Sequence, residues 1–220
     1  DSITDYFFTT SNTATENLKK YGANSENVHF VGNVMIDTLY QNLNRISAPS
    51  FWNDFQLEQN NYVILTLHRP SNVDESKSLI DLLVGIDEMV EDKKIIFPIH
   101  PRTKTILADY ELNLKNIFFV EPQSYLNFMF LIKNSFAVIT DSGGISEETT
   151  VLKIPCFTMR NNTERPETQT IGTNTLVGIS IDNLKKAYSL FLINGKKESG
   201  IPELWDGKAS ERIIEILLKK

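Results

Sequence analysis

Residues 136–148 read Phe136-Ala137-Val138-Ile139-Thr140-Asp141-Ser142-Gly143-Gly144-Ile145-Ser146-Glu147-Glu148. The first five have the apolar, β-branched character of a buried strand, and from Ile145 the pattern turns helical. Between them stand an acid, a hydroxyl and two glycines, a turn in which a ligand can come close to the backbone. The first N–H groups of a helix lack intrahelical acceptors, and together with the helix dipole they favour a phosphate. Glu148 lies four residues past Gly144, one turn deeper, where its carboxylate can accept hydrogen bonds from vicinal sugar hydroxyls. Taken alone, the stretch is equally an ordinary strand-to-helix turn.

Working outward, further short apolar runs predict strands at 6–9, 28–31, 62–67, 94–99, 117–120, 155–159 and 175–177, beside the one at 136–140. The clearest helix spans 75–91, where Leu79, Leu82, Leu83, Ile86, Met89 and Val90 share one face and Asp74 is placed as a cap. Other helices are expected at 13–21, 125–133, 145–152, 183–193 and 208–218. This alternation predicts an α/β protein with a Rossmann-like parallel sheet covered by helices on both faces. Residues 42–61, which include Ser47-Ala48-Pro49-Ser50, read as a linker or domain crossing, and 194–206 as a loop before the last helix.

With 220 residues and 41% hydrophobic side chains there is ample chain for a core, which excludes disordered and low-complexity classes. The net charge of -6, without a basic cluster, argues against a nucleic-acid or membrane-surface partner. The single cysteine, Cys156, rules out an intrachain disulfide and fits a reducing, cytoplasmic setting. None of the three histidines stands at zinc-site spacing, so no metal site is expected. The opening Asp1-Ser2-Ile3-Thr4-Asp5 has neither a Met nor a signal pattern, and the chain reads as cut from a longer one.

In a parallel sheet, ligands bind at the carboxyl ends of the strands. There the sequence places His68-Arg69, His100-Pro101-Arg102, Glu121-Pro122-Gln123, Asp141-Ser142-Gly143-Gly144 and Arg160, each directly after an apolar run. Two imidazoles, several guanidiniums, a hydroxyl and a Gly-Gly turn converging on one rim would form an anion pocket. Thr163-Glu164-Arg165-Pro166-Glu167-Thr168 reads as a charged loop within reach of that rim, and Phe128 as core unless a ligand sits at the start of its helix.

The ordered set resembles the non-hydrolysing UDP-N-acetylglucosamine 2-epimerase family. The matching pieces are Val31-Gly32-Asn33 with Ile36-Asp37, His68-Arg69, His100-Pro101-Arg102-Thr103, Glu121-Pro122, Asp141-Ser142-Gly143-Gly144 with Glu147-Glu148, Thr163-Glu164-Arg165-Pro166-Glu167, Gly172-Thr173-Asn174 and Trp205-Asp206-Gly207-Lys208-Ala209. Singly these pieces are weak, but in this order and over essentially the whole chain they are specific.

The resemblance implies the C-terminal half of a two-domain GT-B fold. Residues 1–24 would be the tail of an N-terminal Rossmann-like domain, 25–206 a UDP-binding Rossmann-like domain, and 207–220 a helix packing back toward the N-terminal domain. It implies interconversion of UDP-N-acetylglucosamine and UDP-N-acetylmannosamine by elimination and re-addition of UDP, without a cofactor or metal. The parent would be a cytoplasmic homodimer serving surface-polysaccharide synthesis, and this piece its UDP-binding half, inactive alone. Carried over by position, Gln123 and Phe128 fall near the uracil, Ser142, Gly143 and Gly144 at the phosphates, Glu148 at the ribose, and Arg165 as a charged contact. His68 matches the active-site histidine beside the diphosphate and is the catalytic candidate, with Arg69 and His100 weaker ones.

The family's catalytic carboxylates match no residue here, their positions falling upstream of Asp1. Ser71 stands where the family commonly has Glu, and Ser146 where it has Gln. Three other readings share these residues: a hydrolysing epimerase releasing N-acetylmannosamine and UDP, a non-catalytic nucleotide-sugar module, and a GT-B glycosyltransferase. The Thr163-Glu164-Arg165-Pro166-Glu167 piece favours the non-hydrolysing branch.

Overall fold

The structure, a computed structural model, describes residues 3–219 apart from Asp74 and Asp109; the cap assigned to Asp74 therefore lies outside the described residues. In chain order the elements are β1 (Phe7–Thr9), α1 (Asn12–Lys20), β2 (Val28–Phe30), α2 (Val34–Asn42), β3 (Tyr62–Thr66), α3 (Pro70–Val73), α4 (Ser76–Met89), β4 (Lys94–Pro98), α5 (Pro101–Leu107) and β5 (Ile117–Val120). They continue with α6 (Tyr125–Asn134), β6 (Ala137–Thr140), α7 (Gly143–Leu152), β7 (Cys156–Thr158), α8 (Pro166–Thr170), β8 (Asn174–Leu176), α9 (Ile181–Asn194) and α10 (Ala209–Leu218). Among the described residues no helix is long and apolar enough to cross a membrane.

Two compact units emerge, one made of Asp1–Asn44 with Ile201–Lys220 and the other of Arg45–Gly200. Both breaks fall inside the stretches 42–61 and 194–206 whose composition marked them as connections. They do not coincide with divisions after residues 24 and 206, because β2 pairs in parallel with β1 and stays in the first unit. Nor is 42–61 a linker throughout. Trp52 packs edge-on to Tyr62 and Phe130 at 5.6 and 5.1 Å, and Phe55 meets Phe118 at 5.4 Å, which anchors this segment in the second unit.

In the first unit, Asp37 of α2 is buried and accepts from Ala209 N (3.0 Å), Ser210 N (2.7 Å) and Ser210 Oγ (2.7 Å), capping α10 from outside that helix. Helix starts leave such donors unpaired, and a carboxylate there also meets the favourable end of the dipole. Trp205 is buried with Nε1 donating to Thr10 O at 2.9 Å, and Arg212 Nη1 donates to Val31 O at 3.0 Å. Asp37→Ala is expected to cost about 2 kcal/mol, since it strands buried donors. Urea unfolding followed by Trp205 fluorescence in a Trp52→Phe background checks this, and an unmoved transition would remove Asp37 from the cap.

In the second unit the strands run parallel in the order β5-β4-β3-β6-β7-β8. β3 and β6 are buried on both faces, as parallel sheets require. Val63, Leu65, Ile95, Phe97, Ile139 and Phe157 face one layer with Leu79, Leu83 and Ile86 of α4 and Leu184 and Tyr188 of α9. On the other face the Tyr62 hydroxyl donates to Leu131 O of α6 at 2.5 Å. The expected doubly covered sheet is therefore present. From β3 the chain winds toward β4 and β5, and from β6 toward β7 and β8, so the winding reverses between β3 and β6. Such a switch point opens a crevice at the carboxyl ends of the strands.

Candidate functional site

The crevice between β3 and β6 is where His68 and Asp141 meet. Asp141 is fully buried and accepts from His68 N, Arg69 N (2.9 Å) and Asn72 Nδ2 (3.0 Å), while His68 Nδ1 lies 2.7 Å from Asp141 Oδ1. The imidazole itself is 55% exposed, so one edge is gripped and the rest faces the crevice. Thr66 and Thr140 share a hydroxyl bond of 2.7 Å at the strand ends, and Thr140 Oγ1 accepts from Ser142 N at 3.0 Å. Asp141 was placed on the rim by sequence but given no role in holding His68, and Asn72 was not singled out at all. An acid directly after a buried strand and one turn from a histidine's strand end was the available signal.

Helix α7 starts at Gly143 with Ser142 as its extended N-cap, and the Ser142 side chain makes no capping bond. At α1, α2, α6 and α9 the cap side chain does accept a backbone N–H, whereas α4, α8 and α10, like α7, have no such side-chain bond. A helix start without a side-chain cap leaves backbone donors able to meet an external acceptor. Arg160, buried at the end of β7, brings its Nη1 to 3.3 Å from where a β-carbon on Gly143 would stand. Its Nη2 pairs with Glu164 Oε1 at 2.8 Å, and that guanidinium holds the Glu164 carboxyl below its ordinary range. The structure thus puts a buried, Glu164-paired guanidinium beside the start of α7, at the rim where the sequence placed Arg160.

One turn along α7, Glu147 and Glu148 are both buried. Burial pushes Glu148 up to about 7 against a hydrogen bond with the Tyr125 hydroxyl that lowers it, and the neighbouring Glu147 charge adds a smaller upward push. Tyr125 opens α6 and was missed as a site residue; it precedes Phe128 by three positions, on the same helical face. Glu147 Oε1 is paired with Arg165 Nε, which ties the expected nucleotide contact to α7. Glu167 is buried nearby, and burial raises its carboxyl, with the Arg165 charge opposing.

The remaining candidates stand at the same ends of the strands. Gln123 is half-buried, with Nε2 donating to Glu121 O at 2.6 Å, and Phe128 is half-buried on α6. Arg69 is half-buried and lies close enough to Glu164 to help hold its carboxyl down. His100 is exposed after β4, the neighbour of β3. A cavity of about 520 Å³, with Phe157, Ala187 and Phe191 in its wall, opens at the opposite, amino end of β7 and β8 and contains none of the candidates.

The fold is that of a doubly wound α/β protein, with the candidate residues gathered at the carboxyl ends of its strands, where such folds place their ligands. The chain belongs to the UDP-N-acetylglucosamine 2-epimerase family, whose model matches residues 1–218. The UDP-N-acetylglucosamine 2-epimerase of Methanocaldococcus jannaschii is 40% identical over 99% of this chain, which corresponds to 62% of that relative. The UDP-2,3-diacetamido-2,3-dideoxy-D-glucuronate 2-epimerase of Pseudomonas aeruginosa is 31% identical over the whole chain and 61% of its own length. A crystal structure of the Methanocaldococcus jannaschii enzyme in complex with UDP-GlcNAc and UDP superposes with a TM-score of 0.87, at 40% identity, over 100% of this chain and 62% of that one. The chain thus spans about three-fifths of the relatives it matches.

Proposed function

We infer that this chain is the UDP-binding part of an epimerase interconverting UDP-N-acetylglucosamine and UDP-N-acetylmannosamine. The observation that carries the reading is the uncapped start of α7 beside buried Arg160, with Glu148 one turn deeper. In the reaction a base removes the C2 proton and the C1–O bond breaks with its electrons passing to the diphosphate. UDP then adds back to the glycal, and C2 receives its proton on the other face. Ser142, Gly143, Gly144 and Arg165 hold the nucleotide's anionic part, Glu148 the ribose, and Gln123 and Phe128 the uracil. His68 meets the departing diphosphate, with Arg69 and His100 on its flanks. Stabilising that developing charge is where fixed donors contribute most.

On this reading residues 1–44 and 201–220 belong to an N-terminal Rossmann-like domain of a GT-B pair, and residues 45–200 form the C-terminal, UDP-binding domain. The parent is a cytoplasmic homodimer that supplies surface-polysaccharide synthesis. The Pseudomonas aeruginosa relative supports a second reading, the same C2 inversion on a diacetamido-uronate sugar.

Calorimetric titration of the chain with UDP tests the binding half. Ser142→Ala is expected to weaken binding by about 1 kcal/mol and Arg165→Ala by about 1–2 kcal/mol, as for lost polar and charged partners. A folded wild-type chain that ignores UDP would end the half-site reading. For the full-length parent, proton NMR of UDP-N-acetylglucosamine should show the manno epimer growing in without free UDP. Accumulating UDP would transfer the protein to the hydrolysing branch, and turnover of the uronate sugar alone would favour the second reading.

A further inference from the structure

We propose that Asp141 is a positioning residue that fixes which nitrogen of His68 carries hydrogen and which faces the crevice. Its carboxyl is fully buried, and all its partners are donors. Oδ2 accepts from His68 N (3.0 Å), Arg69 N (2.9 Å) and Asn72 Nδ2 (3.0 Å), and Oδ1 faces His68 Nδ1 at 2.7 Å and shares the His68 N–H at 3.2 Å. A carboxylate accepts only, so the ring nitrogen against it must bear the hydrogen. Nε2 is then the nitrogen presented outward, as a lone pair on the neutral ring and as a donor on the charged one. The two backbone bonds matter as much as the ring contact, because one carboxylate sets both the loop after β3 and the direction of the imidazole on it. Asn72 ties the arrangement to the end of β7 by also donating to Met159 O at 3.3 Å. The hydrogen placement stands on geometry alone; its consequence for turnover rests on the epimerase reading.

Asp141→Asn is the informative change. Three donors converge on Oδ2, so the amide oxygen must take that place, and its NH₂ group then points at His68 Nδ1. The ring can answer only by becoming an acceptor at Nδ1, which moves the hydrogen to Nε2. Two-bond ¹H–¹⁵N correlations of the labelled chain read this directly. Nδ1–H is expected in the wild type and in Asn72→Ala, and Nε2–H in Asp141→Asn. In the full-length parent, Asp141→Asn should lower kcat on the order of 10²-fold or more, as loss of the correct tautomer does in other histidine–carboxylate pairs. In a His68→Gln background the same change should cost little further, because residues acting as a unit are not additive.

Nε2–H in the wild type, or Nδ1–H persisting in Asp141→Asn, overturns the proposal, and additive losses with His68→Gln overturn its action through the ring. If Asp141→Asn does not fold, the wild-type and Asn72→Ala spectra still decide the hydrogen placement. A parent without epimerase activity would sink the proposed function and leave the spectral result standing.

Discussion

Replacing Glu148 by Gln is expected to stabilise the second unit by about 3 kcal/mol near pH 8 and to change little near pH 4. Burial holds this carboxyl at about 7 instead of its ordinary 4.5, with the Glu147 charge adding to the effect. Below about 4.5 the group is protonated in the folded and unfolded chain alike, and it costs no charge burial. Between 4.5 and 7 the unfolded chain gives up the proton while the folded one keeps it, so stability falls as pH rises. Above 7 the full penalty is present. The amide keeps the size of the side chain and a partner for Tyr125 and never ionises. Urea unfolding of both proteins across this range checks the difference, and a gap that ignores pH would mean that Glu148 is not the titrating group. The same group gives UDP binding a pH dependence. A ribose that donates to the carboxylate favours its ionised form, so affinity should tighten as pH rises through 7 in the wild type and stay flat in Glu148→Gln.

Gly32→Ala should destabilise the first unit by roughly 3 kcal/mol or more. Gly32 has φ +92°, and a β-carbon there would stand 2.0 Å from the carbonyl oxygen of Leu204 and 2.9 Å from its carbonyl carbon. Both obstacles are backbone, so no rotamer change gives relief. Leu204 is itself held at φ 60°, and its carbonyl accepts from Arg212 at 3.4 Å, which further limits retreat. Gly22→Ala is the matched comparison. Gly22 also has positive φ, at +90°, with nothing within 4 Å of the added carbon, so it should show the backbone cost alone, about 1 kcal/mol. Equal losses for the two variants in hydrogen exchange at the Trp205 indole would show that the close approach at Gly32 does not matter.

The sheet was legible because each of its strands is a short apolar run ended by a polar residue. The long helix α4 was legible because its buried residues recur at helical spacing. The helices missed in the second unit, α3, α5 and α8, share a cause: each begins on a proline, Pro70, Pro101 or Pro166. Proline reads as a break but is favoured at the first helical position, and none of the three is long enough to display a period. α2 was missed because it buries only Ile36, Asp37 and Leu39 and runs directly into polar sequence. At the site, residues following strand ends could be assembled from sequence, since parallel topology sends them to one rim. The way they are held could not. Asp141 and Arg160 stood in the rim pattern, but that they and Asn72 spend their polar atoms inside the protein was not legible, because burial is not written in residue type. Several pieces of the family pattern serve the fold and not the rim: Gly32 admits Leu204, and Asp37 caps the helix that Ala209 begins.

The first unit is assembled from residues 1–44 and 201–220, and this sets a clock on its formation. Asp37 is synthesised 172 residues before Ala209, whose N–H it will accept. At 5–20 residues per second the wait is roughly 10–30 s, many times longer than a helix or a local sheet needs to form. The strands of the second unit leave the ribosome within that interval and can pair as they appear. The groove around Gly32 and the unsated Asp37 meanwhile remain open to water, chaperones and proteases. Resistance to proteolysis in the nascent chain should therefore arrive in two steps, with β1, β2 and α2 protected after the second unit although they are made before it.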